Sequence, residues 1–79
     1  MTAAPIAYEV DARGMRCPWP ALRAARAMRE HERVLVHADD PIAPKELASL
    51  AAEHKWRLQD LGNNQFILER FASAQQQTR

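Results

Sequence analysis

Two prolines one residue apart, Pro18 and Pro20, fix where the first helix of this 79-residue chain can begin. Proline has no N–H and its ring crowds the preceding turn. It therefore breaks a helix interior but is tolerated in the first turn. Downstream, Ala21, Ala24, Ala25 and Met28 keep i, i+3, i+4, i+7 spacing, with Leu22 beside them, so a helix opens at this pair. Arg23, Arg26 and Arg29 lie off the apolar stripe and give the helix a basic side. Upstream, Ile6, Tyr8 and Val10 alternate with Ala7 and Glu9, the pattern of a half-buried strand over Ile6 to Asp11. Arg13-Gly14-Met15-Arg16 then reads as the loop between strand and helix.

The rest of the chain follows the same logic. Val34-Leu35-Val36, within a strand from Arg33 to Ala38, is a near-continuous apolar run and predicts a central strand. Asp39-Asp40-Pro41 ends it. A second helix from Pro44 to His54 puts Leu47, Leu50, Ala51 and His54 on one stripe. Trp56 to Leu61 and Gln65 to Phe71 read as strands joined at Gly62-Asn63-Asn64, a hairpin. The order is βαβαββ. The first crossover is expected to be right-handed, with its two strands parallel. One small core then implies an α+β fold: a two-layer α/β sandwich, with a four-stranded mixed sheet and two helices on one face. Residues 6–71 form the expected domain, and the polar, glutamine-rich tail 72–79 is expected to be disordered. Parallel pairing brings the loop after the first strand and Asp39-Asp40-Pro41 to one sheet edge, where open α/β sheets place their sites.

That first loop holds Cys17, the single cysteine of the chain. One cysteine excludes an internal disulfide and any multi-cysteine zinc site, and fits a reducing compartment. The opening Met1-Thr2-Ala3-Ala4-Pro5 lacks the basic flank and apolar stretch of a signal peptide, and no apolar run is long enough to span a membrane. A cytoplasmic location and no membrane partner are the expectations. The net charge of +1 hides an asymmetry: five arginines and no acidic residue between Arg13 and Arg29, then six basic and eight acidic residues from Glu30 onward. Thiolate is the reactive form of cysteine, and a free thiol, with a pKa near ~8.5, is mostly protonated at neutral pH. The N–H groups of Trp19, Ala21 and Leu22, the helix dipole, and Arg13, Arg16 and Arg23 should together depress the Cys17 pKa. With no second cysteine, dithiol exchange within the chain is impossible. A single thiol can instead hold a transferable group, such as a sulfane sulfur or an acyl cap.

The pattern Asp11-x-x-Gly14-x-x-Cys17-Pro18-x-Pro20, followed after a strand by Ala38-Asp39-Asp40-Pro41, resembles the TusA/SirA-like family of small sulfur-carrier proteins. The likeness extends over about Tyr8 to Arg70, and the CPxP element at a helix start is its hallmark. It implies a sulfurtransferase-type role, with a persulfide on Cys17 as the catalytic residue and no cofactor beyond that transient sulfur. It also implies a cysteine desulfurase or rhodanese-type donor, an acceptor sulfur-relay protein, and an indirect link to tRNA through wobble-uridine thiolation in the best-known branch. Trp19 stands where such proteins often carry an acidic residue, and His31-Glu32-Arg33 lacks an expected glycine. Exposed beside the nucleophile, Trp19 would suit partner docking.

Other residues carry a plainer reading beside a functional one. Asp39 and Asp40 read as a strand end and cap of the second helix rather than an acid/base pair. Asp11 and Gly14 read as loop-shaping residues. The arginine side, Arg23 and Arg26 included, is either a solvated face or a docking face for an acidic partner or an RNA backbone. A non-catalytic RNA-binding or regulatory module is the alternative function, and a redox-sensing or selenium-handling variant of the family is another. His31, His37 and His54 show no ligand spacing, so no metal is expected.

Overall fold

A computed structural model describes residues 7–70. The order is β1 (Tyr8–Asp11), α1 (Trp19–Met28), β2 (Arg33–His37), α2 (Ala43–His54), β3 (Arg57–Gly62) and β4 (Gln65–Glu69). The sheet runs β1-β2-β4-β3, so the Val34-Leu35-Val36 strand is interior. β1 and β2 are parallel, with Val10 opposite Val36 and Asp11 opposite His37. β4 is antiparallel to both its neighbours. The sheet is therefore mixed, as the element order requires.

The core lies between the sheet and the two helices. Val10, Val34, Val36, Phe66 and Leu68 from the strands meet Ala24, Met28, Leu47 and Ala51 from the helices. Ala24 and Met28 are fully buried, so the predicted stripe of α1 is the packed one. Small alanines on both helices let them sit close on the sheet. Leu22, beside that stripe, is exposed, as is Tyr8. Tyr8 occupies an edge strand, and its ring stacks on His31 just past α1, with centroids 4.0 Å apart. The alternation of β1 thus buries Val10 but not Tyr8. His54 likewise leaves the packed stripe of α2 and stacks on Trp56.

The hairpin turns on Asn63 and Asn64, both with positive φ (53° and 63°), while Gly62 (φ 81°) ends β3. Two left-handed residues between antiparallel strands give the twist of a primed turn, and asparagine tolerates that conformation best after glycine. The Asp60 carboxylate accepts a hydrogen bond from the Gly62 N–H beside a register shift that follows Asp60. α2 ends at Lys55, which takes a left-handed φ of 61°. Beyond α1, the Arg70 guanidinium donates to the Met28 carbonyl and serves one of the helix's terminal acceptors. Ile6, Phe71 and the 72–79 tail lie outside the described residues.

Candidate active site at the Cys17 loop

Parallel pairing of β1 and β2 places two loops side by side. The Ala12 N–H donates to the His37 carbonyl (2.8 Å), carrying the ladder one step past β1. The chain then turns: Met15 N–H donates to the Ala12 carbonyl (3.1 Å), with Gly14 at a φ of +84°. A side chain there would be strained by its own backbone, so glycine is required. The Asp11 carboxylate braces this turn. It accepts from the Arg13 backbone N–H (3.2 Å) and, through both oxygens, from Arg13 Nε (2.9 Å) and Nη2 (3.0 Å). The paired guanidinium holds the Asp11 carboxyl well below the usual carboxylate range.

The second loop reaches across to the first. Asp39 Oδ1 accepts the Gly14 N–H at 2.9 Å, and Asp40 Oδ2 accepts the Cys17 N–H at 3.0 Å. Neither aspartate caps α2, whose first turn has no side-chain cap. This corrects their reading as cap residues of the second helix. Their carboxylates are spent on the cysteine loop, and the turn into α2 is made by backbone: Ala43 N–H donates to the Asp40 carbonyl (2.9 Å). Pro41 sits just inside that turn, where its fixed φ suits the bend. Asp11, Gly14, Cys17, Asp39, Asp40 and Pro41 thus converge at one sheet edge.

Pro18 and Pro20 frame the start of α1 as their chemistry demands. Pro18 is the cap residue, Pro20 lies in the first turn and is buried, and the Cys17–Pro18 peptide is cis. Trp19 between them is 58% exposed. Cys17 is half-buried and free.

The environment of the thiol differs from the sequence expectation. Its pKa is raised rather than lowered. A side-chain hydrogen bond to Glu46 is the main cause, followed by desolvation and the negative charges of Glu46 and Asp40. Two of the three predicted N–H donors and Arg13 are engaged elsewhere. Trp19 N–H donates to the Arg16 carbonyl (2.8 Å) and Leu22 N–H to the Pro18 carbonyl (3.0 Å). Arg13 is locked onto Asp11. Arg23 and Arg26 line a separate cleft of about 390 Å³ with Tyr8, Glu30 and His31. Arg16 is exposed.

Glu46 is the residue that sequence reading missed. It stands in the first turn of α2, where a carboxylate suits the helix dipole, and that ordinary role hid its position beside Cys17. It also borders a groove of about 200 Å³ between the helices, whose apolar floor includes Pro18, Leu22 and Leu50. The three histidines are dispersed: His31 on Tyr8, His54 on Trp56, and His37 3.4 Å from Glu9. No helix among the described residues is long and apolar enough to cross a membrane.

The solved SirA-like protein of Desulfitobacterium hafniense has the same fold. It superposes with a TM-score of 0.67 over 78% of this chain and 95% of its own, at 24% sequence identity. A model of the family described as Sulfurtransferase TusA matches residues 8–69, from the first residue of β1 to the last of β4. The chain that builds this two-loop edge around Cys17 therefore belongs to the TusA sulfurtransferase family.

Proposed function

We propose that Cys17 carries a sulfane sulfur as a persulfide and relays it between proteins. The observation that supports this reading is the placement of the lone thiol. Its backbone N–H is held by Asp40, its peptide leads into a proline-framed helix start, and an exposed Trp19 stands two residues away. A stiff loop lets one sulfur meet successive partners with little ordering cost at each encounter. The Cys17 sulfur attacks the outer sulfur of a donor persulfide, and the donor leaves as a thiol. The resulting Cys17–S–SH then yields its outer sulfur to an acceptor cysteine in the same way. A cysteine desulfurase or rhodanese-type protein is the donor class, and an acceptor of a sulfur relay, for example one leading to tRNA thiolation in the cytoplasm, is the recipient class.

Trp19 and the mouth of the inter-helix groove serve docking in this reading. The rival, an RNA-binding module, draws on Arg23 and Arg26. Their cleft also presents Glu9, Asp11 and Glu30, which oppose a phosphate backbone. Incubation with a cysteine desulfurase and cysteine, read by intact mass, tests the proposal. Wild type gains one sulfur atom and Cys17→Ser gains none. No gain with any sulfane donor contradicts it.

A further inference from the structure

We propose that the free edge of β1 takes up an extended segment of a partner protein as an added strand, with acidic side chains facing α1 and basic ones facing away. The docking requires no chemistry at Cys17. β1 ends the sheet and pairs only with β2. The Ala12 N–H bonds the His37 carbonyl, and in a parallel ladder alternate residues bond the neighbour, so Val10 and Tyr8 also turn their backbone groups to β2. The N–H and C=O groups of Glu9 and Asp11 therefore point outward, and no other described residue bonds to them. Edge strands are commonly blunted by a bulge, a proline or a covering loop. β3, the opposite edge, carries a register shift after Asp60. β1 keeps a regular register from Tyr8 to Asp11 and opens on the cleft of about 390 Å³, which all four of its residues line.

The charges of the cleft are sorted by face. Val10 packs into the core against the helices, so Tyr8 shares the helix side, and Glu9 and Asp11 turn to the other side of the sheet. On the helix side stand Arg23 and Arg26, which make no ion pair with any described residue. Exposed Tyr8, stacked on His31, closes that side with a flat ring, and Glu30 adds one carboxylate past the end of α1. On the other side the Glu9 side chain is 67% exposed, and Asp11 already holds Arg13. An added strand shows its side chains alternately to the two faces, so acidic residues meet Arg23 and Arg26 while basic residues meet Glu9. A nucleic-acid backbone carries one sign of charge and cannot suit both walls. β1 runs into the Cys17 loop, so a segment seated along it anchors its protein on the strand that leads to the thiol.

The test titrates the isotope-labelled full chain with a capped peptide of alternating glutamate and lysine, followed by NMR. Two control peptides leave the protein untouched. One has the same composition in two blocks, so its charges cannot sort by face. The other is N-methylated throughout, so it keeps the charges and loses the ladder donors. Only the alternating peptide should slow amide hydrogen exchange at Glu9 and Asp11. Arg23→Glu combined with Arg26→Glu should weaken its binding about 10-fold, because two exposed ion pairs become repulsions. Unchanged exchange at Glu9 and Asp11, or a block or methylated peptide that binds as well as the alternating one, overturns the proposal. So does an oligouridylate that shifts the Arg23 and Arg26 resonances where the peptide does not.

Discussion

At the scale of single residues, the Cys17 loop is built by carboxylates rather than by the arginines that surround it in sequence. Asp40 lies 23 positions from Cys17 and holds its N–H, and Asp39 lies 25 positions from Gly14 and holds that N–H. Such partners are invisible to local pattern, because they depend on the register of β1 against β2. Removing a charged acceptor leaves a partly buried N–H unserved, so Asp40→Ala should cost about 1.5 kcal/mol. A urea midpoint lowered accordingly, with unchanged m-value, checks this. Asp39→Ala, at an exposed bond, should cost less. The thiol carries a pH signature as well. Its folded pKa lies above the ordinary cysteine value, so its contribution to stability is complete below about pH 8.5 and is lost as pH rises toward the folded pKa. Wild type should therefore lose stability over that alkaline interval more steeply than Cys17→Ser. Equal slopes would mean that Glu46 and Asp40 do not act on the thiol.

At the scale of elements, period and punctuation were legible where they answer to local physics. Pro18 and Pro20 mark the start of α1, Asn63-Asn64 marks the hairpin, and the apolar run of β2 marks the interior strand. Tertiary placement was not legible. Tyr8, on the apolar face of β1, and Leu22, beside the apolar stripe of α1, both stand exposed, because β1 is an edge strand and Leu22 faces the groove between the helices. The charge run from Arg13 to Arg29 pointed to a depressed thiol pKa. It misled because an arginine near in sequence can be spent on an aspartate nearer in space. The end of α2 also offers a test. Lys55 holds a left-handed conformation that costs a residue with a side chain about 1 kcal/mol relative to glycine. Lys55→Gly should raise the melting temperature by about 4–8 °C for a domain of this size. A lower melting temperature would show that the lysine side chain supports the helix end by another route.

At the scale of the whole molecule, the fold turns one thiol into a site by topology. Parallel pairing of β1 with β2 sends both loops off the same edge, and α2 begins there, so the cysteine from the loop after β1 meets Asp40 from the loop after β2, which holds its N–H, and Glu46 from the first turn of α2. The remaining strands and the helix stripes supply the core that keeps these segments in register. Nothing else in the chain can resolve a persulfide, because Cys17 is its only cysteine. The most direct test of the account is tandem mass spectrometry on protein loaded by a sulfane donor and then chased with an acceptor thiol. The account predicts one added sulfur, located on Cys17 and lost stoichiometrically to the acceptor. Sulfur found on any other residue, or sulfur on Cys17 that no acceptor thiol removes, would contradict it.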